Sequence, residues 1–174
     1  MRLLKKMLHK DISKIKSNIF ERKASRAIIL DGNKILLMYT KRYNDYSIPG
    51  GGVDPDEDLI DGLKRELNEE TGAKDIEVIK EFGIFEEYRP THYEGYDLMH
   101  MTSYFYVCTI NKELGAPNLE DYEISNSMTT IWIDIDEAIN HNTKLIQSKD
   151  SKMGLSVERE TFMLNLIKNE LISK

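Results

Sequence analysis

Cysteine is nearly absent from the 174-residue sequence, and this scarcity limits the chemistry open to the chain. The single Cys108 has no partner for an internal disulfide. It lies in the apolar run "MTSYFYVCTI", which is typical of a β-strand, so we predict a buried structural thiol and not a nucleophile. A chain without internal disulfides suits a reducing compartment, and we therefore expect a cytoplasmic protein.

Long apolar runs are also missing. No stretch approaches the roughly 18 apolar residues that indicate a membrane-spanning helix. The first residues, "MRLLKKMLHKDISKIKSNIF", carry a lysine every few positions and so lack the apolar region of a signal peptide. These two absences predict a protein that is neither secreted nor inserted in a membrane.

Positive charge is scarce outside the N-terminal segment. The whole chain has a formal net charge of −6. Residues 1–26 hold nine Lys or Arg and two acids, a balance of +7, which leaves −13 for the remainder. A surface this acidic repels a polyanion, so we expect no stable nucleic-acid partner. It is, however, well suited to binding divalent cations.

The N-terminal segment, residues 1–22, has apolar residues at helical spacing between its lysines. The apolar positions are Leu4, Leu8, Ile12, Ile15 and Ile19. The pattern predicts a basic amphipathic helix before a single globular domain over residues 23–174. We favour packing of this helix on the domain or on a second subunit of a homodimer. Attachment to an anionic membrane surface or to RNA is the alternative.

Strand-like and helix-like segments alternate along the rest of the chain. The runs "RKASRAIIL" and "KILLMYT" flank an Asp-Gly turn and predict a β-hairpin. A helix is predicted from Leu59 to about Thr71, with Gly72 as its C-terminal cap. Further strands are predicted at 76–88, 101–110 and 129–135, and further helices from near Asp136 and from Ser156 to about Ile172. This order predicts an α/β (α+β) domain with a central mixed sheet and helices on both sides.

The segment "PGGGVDPDEDLIDGLKRELNEETGA", residues 49–73, places a glycine-rich loop directly before an acidic helix. At about 100° per residue, Glu66, Glu69 and Glu70 share about one third of the helix circumference, next to the side that carries the leucines. Like charges at this spacing repel one another unless a cation lies between them. Carboxylates with no His or Cys nearby favour a hard ion, so we predict Mg²⁺ or Mn²⁺ and not zinc.

The three glycines of this loop, Gly50, Gly51 and Gly52, fit the same interpretation. Without Cβ atoms, they can bring main-chain amides and carbonyls close to a phosphate or a metal ion. A simple tight turn after a strand is the alternative interpretation. Because the loop and the acidic helix are contiguous, we interpret them together as one site.

From Gly51 to Ala73 the sequence follows the pattern G-x5-E-x7-R-E-L-x-E-E-x-G-A, which resembles the Nudix box of the Nudix hydrolases. Gly62 and Ala73 are mild departures from the usual residues, at positions that carry no chemistry. The resemblance implies a Nudix-type α/β/α sandwich around a mixed sheet. It also implies hydrolysis of a nucleoside diphosphate linked to another moiety, which gives a nucleoside monophosphate and a phosphorylated product.

The resemblance further implies roles for individual residues of the box. Glu66 or Glu69 would act as the general base on an attacking water. Arg65 would pair with Glu57 and hold the loop against the helix. The implied metal ligands are three acids and one main-chain carbonyl: Glu66, Glu69, Glu70 and Gly51.

Family members often use a further acid from the segment after the box. The candidates here are Glu120, Asp121 and Glu123, and we prefer Glu123 because of its spacing before Trp132. A solvated loop acid is the alternative for each of them. Arg42, just after a predicted strand, is a candidate phosphate contact or else a plain surface cation.

Aromatic residues are concentrated between positions 82 and 106, and their faces can stack a nucleobase. Most of them alternate as in a strand and are assigned to the core. The stacking candidates are the three tyrosines in or beside the loop that contains Gly, Pro and His: Tyr88, Tyr93 and Tyr96.

Two functions are consistent with the sequence. The first is a metal-dependent pyrophosphohydrolase of a nucleoside triphosphate, a nucleotide sugar or an ADP-ribose-like substrate. The second is a catalytically weak module that binds or senses such a nucleotide without cleaving it. We favour the enzyme because all four glutamates of the box are present, whereas a binding module can lose its catalytic carboxylates without penalty.

Overall fold

The computed structural model describes residues 1–10, 12, 18–111, 113–149 and 152–172. Eight strands and four helices follow one another along this part of the chain. In chain order they are β1 Leu3–Leu8, β2 Ile19–Ile28, β3 Leu30–Asp31, β4 Lys34–Thr40, β5 Asp45–Ser47, α1 Leu59–Thr71, β6 Glu77–Arg89, β7 Leu98–Thr109, α2 Asp121–Ser125, β8 Met128–Asp134, α3 Ile135–Ser148 and α4 Val157–Ile167. A π-helical turn, Lys168–Ile172, extends α4. Within the described ranges, none of the helices has the length and apolar character needed to cross a membrane.

The strands form two sheets. The first is mixed and has the order β1-β6-β7-β2, in which β6 and β7 are antiparallel while both outer strands run parallel to their neighbours. The second is antiparallel and is centred on β4, which pairs with β3 and β5 on one side and with β8 on the other. The predicted mixed sheet is therefore confirmed.

Helices cover both faces of these sheets. On one side, Leu63 and Leu67 of α1 pack in a cluster with Ala27 and Tyr106 of the first sheet. On the other side, residues of α3 and α4 pack with Phe85 and Phe105 in a second cluster. Cys108 is buried and unpaired in the α1 cluster, and burial raises the pKa of its thiol to about 12. The prediction of a structural thiol is consistent with this position.

The predicted N-terminal helix is wrong for Leu3–Leu8, which form β1, and for Ile19–Arg22, which belong to β2. Residues 11 and 13–17 of that helix lie outside the described part of the chain. A basic amphipathic helix would place its lysines on the solvated side, yet two of them pack on aromatic rings. Lys5 Nζ lies 4.4 Å from the Phe162 ring centroid, and Lys6 Nζ lies 4.9 Å from that of Tyr88. Parallel pairing with β6 therefore overrides the helical periodicity.

The predicted hairpin is only partly observed. Its turn is present, because Leu30 pairs with Ile35 and Gly32 has a φ of 62° that favours glycine. The long strand before the turn, β2, pairs instead with β7 in the other sheet. The chain thus passes from one sheet to the other just before the turn.

The predicted helix from Leu59 to Thr71 is confirmed as α1. The main-chain nitrogen of Ile60 donates to the Asp58 side chain at the N-terminus, and Gly72 closes the C-terminus with a φ of 68°. The later strands and helices lie close to their predicted positions, although Ser156 makes no capping hydrogen bond with its side chain. The short elements β5 and α2 were not predicted.

Candidate active site

The glycine loop, Pro49–Gly52, lies antiparallel beside β2. The nitrogen of Ala27 donates to the Pro49 carbonyl at 2.9 Å, and the nitrogen of Ser25 donates to the Gly51 carbonyl at 3.0 Å. Gly50 has a φ of 120°, and a Cβ atom there would overlap the Ser25 carbonyl oxygen. The loop can approach the strand this closely only with glycine at position 50.

Arg26 and Glu160 hold the start of this loop from behind. Arg26 Nη1 donates to the carbonyl of Ile48 at 3.2 Å and also to that of Gly50. The buried Glu160 accepts a hydrogen bond from the nitrogen of Ile48 at 3.0 Å. Sequence reasoning missed both residues, although Arg26 interrupts the small and apolar residues at the end of β2.

Arg65 joins the loop to α1. Its Nε and Nη2 each donate to the Glu57 carboxylate at 2.8 Å, and Nη2 also donates to the Gly52 carbonyl at 3.1 Å. These hydrogen bonds from Arg65 lower the pKa of Glu57 to about 2, and Glu57 in turn raises the pKa of Arg65. The pair therefore stays ionised and fixes the loop against the helix.

The same guanidinium reaches two more acids of α1. Arg65 Nη1 donates to Glu66 at 2.8 Å and to Glu69 at 3.2 Å. Burial raises the pKa of Glu66, while the hydrogen bond from Arg65 opposes that shift. The Glu66 carboxylate lies directly against Gly51, where a Cβ atom would overlap it. Glycine at position 51 thus makes room for a carboxylate.

Glu70 is buried beneath the loop and accepts a hydrogen bond from the Gly50 nitrogen at 2.6 Å. The pKa of Glu70 is raised to about 8, mainly by burial. The negative charges of Glu123 and Glu66 act in the same direction, while Arg26 and the hydrogen bond from the Gly50 nitrogen oppose the rise. Glu123 is itself buried and lies on α2, a short helix far along the chain from the box. It accepts hydrogen bonds from the Glu120 nitrogen at 2.7 Å and from the Tyr122 hydroxyl at 3.1 Å.

The family model described as "NUDIX domain" matches residues 21–153. This chain belongs to the NUDIX domain family.

Individual relatives agree with that family. The human diphosphoinositol polyphosphate phosphohydrolase 3-beta is 33% identical over 110 residues, which cover 62% of this chain and 58% of the human protein. The RNA pyrophosphohydrolase of Bartonella henselae is 50% identical over 42 residues, which cover 24% of each chain. The chain therefore spans less than two thirds of the length of either relative.

The solution structure of the Escherichia coli ORF135 protein has the same fold. It superposes with a TM-score of 0.56 at 18% identity and covers 90% of this chain and 96% of its own. The shared fold, together with the family model, confirms the α/β/α sandwich inferred from the box.

The acids of the NUDIX box have the ligand chemistry that a divalent cation requires. All of them supply hard oxygen ligands. The pKa of Glu70, raised mainly by burial and also by the nearby charges of Glu123 and Glu66, is one that a bound cation would lower. In the described ranges, however, no three His, Cys, Asp or Glu side chains are grouped closely enough to hold a metal ion. Arg65 contacts Glu66 and Glu69, and the Gly50 nitrogen contacts Glu70.

A cleft of about 1270 Å³ opens beside the NUDIX box. Six of the predicted site residues line it: Gly52, Glu57, Arg65, Glu66, Arg42 and Tyr93. Arg42 also donates to the Asn126 side chain at 3.0 Å. Sequence reasoning missed Phe20, Arg22 and Tyr122, which line the same cleft. Phe20 and Arg22 alternate along β2, but the predicted helix concealed that signal.

Three predicted substrate contacts lie elsewhere. Tyr88 stacks on the His100 ring, with centroids 4.3 Å apart. Tyr96 packs edge-on against Phe20 at 5.2 Å. Gly50 directs its nitrogen into the protein, toward Glu70, instead of toward the cleft. The catalytic and binding roles of all these residues remain predictions.

Proposed function

We propose that this NUDIX protein is a metal-dependent pyrophosphohydrolase. It cleaves the diphosphate linkage of a nucleoside diphosphate joined to another moiety by attack of water on phosphorus. The arrangement of Glu66, Glu69 and Glu70 around the glycine loop carries this proposal. Arg65 holds Glu66 and Glu69, the Gly50 nitrogen contacts Glu70 beneath the loop, and Glu66 lines the large cleft.

The acidic residues of the site would hold Mg²⁺ or Mn²⁺. We assign this role to Glu66, Glu69 and Glu70, to the Gly51 carbonyl and to Glu123, whose charge already acts on Glu70. Bound divalent cations neutralise a diphosphate, orient it and acidify an attacking water. Glu66 or Glu69 accepts a proton from that water as general base.

Other residues of the site position the substrate. Arg65 and Glu57 keep the glycine loop against α1 through their paired hydrogen bonds. Arg42, Gly52 and Tyr93 line the cleft and are placed to contact the substrate. We assign Gly50 and Tyr96 supporting roles, since each packs against another residue of the site, whereas Tyr88 lies in its own stack with His100.

The experiment is a turnover assay with purified protein and Mg²⁺ or Mn²⁺. The panel contains nucleoside triphosphates, ADP-ribose, dinucleoside polyphosphates, nucleotide sugars and a diphosphoinositol polyphosphate. We expect a nucleoside monophosphate and a phosphorylated product from at least one nucleotide, and none without a divalent ion. Tight binding of one nucleotide with no turnover of any would instead support the sensing module.

The cellular location and the oligomeric state are proposed from other observations. The unpaired, buried Cys108 supports a reducing cytoplasmic location. A homodimer remains a prediction that sedimentation at several protein concentrations would test.

A further inference from the structure

We propose that an aromatic stack and a neighbouring arginine form a subsite for the nucleobase of the substrate. The aromatic stack is defined as Phe20, Tyr93 and His92, and the arginine is Arg22. This inference rests on the proposed function and specifies where the base of a nucleotide lies relative to the glycine loop.

The aromatic stack is continuous and borders the cleft. The ring centroids of Phe20 and Tyr93 are 4.3 Å apart, and those of His92 and Tyr93 are 4.6 Å apart with planes inclined by 26°. All three residues line the cleft, and Tyr93 keeps 36% of its surface exposed. The planes of Phe20 and Tyr93 are inclined by 35°. Aromatic faces that border a cleft offer a surface on which a further planar ring can stack.

Two distant segments of the chain build this surface. Phe20 lies at the start of β2, and His92 and Tyr93 lie in the connection between β6 and β7. The parallel pairing of Ile19 with Leu98 brings the two segments together. The aromatic stack is therefore set by the central sheet and is not a property of the loop alone.

Arg22 connects the aromatic stack to the glycine loop. Its Nη1 donates to the Tyr93 hydroxyl at 3.3 Å. On its other side the guanidinium packs on Gly52, where a Cβ atom would lie 2.7 Å from Nη2. A ligand with its phosphates at the glycine loop and its base on the stack would pass beside this cation, which can bind a phosphate oxygen.

The charge of the cleft favours a nucleotide over a more highly charged substrate. Four Lys or Arg residues and five acids line the cleft, a formal balance of −1, and Arg65 is already committed to its paired acids. An inositol polyphosphate presents many negative charges and no aromatic ring. Such a ligand needs a strongly basic cleft, whereas a nucleobase needs the stacking surface that is present here.

The test measures binding of two uncleavable probes in the presence of Mg²⁺. Methylene diphosphonate carries the diphosphate mimic without a base, and α,β-methylene-ADP carries the same group with adenosine. We expect Tyr93→Leu and Phe20→Leu to weaken the binding of α,β-methylene-ADP by about tenfold or more. The affinity for methylene diphosphonate should be unchanged in both variants. Tyr93→Phe keeps the aromatic ring and should bind α,β-methylene-ADP as the wild type does. Arg22→Gln should lower the affinity for both probes.

The controls separate this subsite from a loss of folding and from the hydrolase proposal. Tyr39→Leu makes the same change at a tyrosine outside the cleft. This variant should bind both probes with wild-type affinity. Thermal melting verifies that every variant is folded. Equal affinity of wild type and folded Tyr93→Leu for α,β-methylene-ADP would refute the subsite, as would tighter binding of inositol hexakisphosphate than of the nucleotide. Turnover of the substrate panel tests the hydrolase proposal independently, because these probes are not cleaved.

Discussion

The carboxylate of Glu70 accepts a hydrogen bond of 2.6 Å from the main-chain nitrogen of Gly50. This contact joins the last turn of α1 to the middle of the glycine loop and buries a carboxylate next to two other acids. The loop and the acidic helix, contiguous in sequence, are thus also one unit in space.

The acids of α1 are first tested by removing their charge. Glu66→Gln and Glu70→Gln should each lower metal-dependent turnover by about 100-fold or more, the range found when a group that stabilises transition-state charge is lost. Asp61→Asn changes an exposed acid of the same helix and should have no such effect. Turnover at the wild-type rate in both glutamine variants would show that neither acid is a metal ligand.

The metal-free protein should lose stability as pH rises. The pKa of Glu70 is about 8 in the folded state, against an ordinary value of 4.5, so the folded state holds a proton that the unfolded state releases between these values. Urea unfolding with EDTA should therefore show stability falling from about pH 5 to pH 8, as expected for a raised carboxyl pKa. Asp45, with a pKa of about 6, contributes in the same direction at the lower end of this range.

The Glu70→Gln variant isolates the contribution of Glu70 to that pH dependence. Its stability should fall less over the same range, so that the variant becomes more stable than wild type near pH 8 in EDTA. Saturating Mg²⁺ should reverse the order, because a bound cation favours the ionised carboxylate. Parallel pH profiles for the two proteins would contradict the assignment.

Arg65→Lys tests the clamp between loop and helix. Lysine keeps the charge but cannot reproduce the two parallel hydrogen bonds to Glu57 and the further contacts to Gly52 and Glu66. We expect turnover to fall by about 10- to 100-fold, as for other residues that orient metal ligands. Lys64→Gln alters an exposed neighbour and serves as the control. Wild-type kinetics in Arg65→Lys would mean that charge alone suffices there.

The ion pairs behind the loop are tested through stability. The buried Arg159 donates to Glu87 at 2.6 Å and to Glu160 at 2.6 Å. Arg159→Met leaves the buried Glu160 without its paired cation and leaves Glu87 with Arg89 alone, at 3.4 Å. The change should cost about 3–5 kcal/mol in the free energy of unfolding. Arg2→Met removes an exposed arginine from Glu170 and should cost at most about 1 kcal/mol. Similar losses in the two variants would show that burial of the pair is unimportant.

The parts that sequence analysis predicted well depend on local signals. The ends of α1 are set by Asp58 and Gly72, which contact residues within four positions of themselves. The pairing of Arg65 with Glu57, which the resemblance to the Nudix box implies, is present and joins residues eight positions apart. Local patterns of this kind are visible in one short segment, so the box and its helix could be placed before the structure was known.

The parts that were missed depend on contacts between distant residues. Leu3–Leu8 has helical periodicity but becomes a strand because β6 is available to pair with it. Arg22 joins the cleft only because β2 pairs with β7 and the β6–β7 connection brings Tyr93 beside it. The pattern of residues within a single segment does not predict contacts between segments that are far apart in the sequence.

The hydrogen bond from Ile48 to Glu160 joins residues that are 112 positions apart. The glycine loop therefore receives its rear support only after the ribosome has synthesised the chain as far as α4. Until then the box can form its helix, because the signals of that helix are local, but the loop beside it lacks its final anchor. In the cell, completion of the active site should thus be a late event in the making of each molecule.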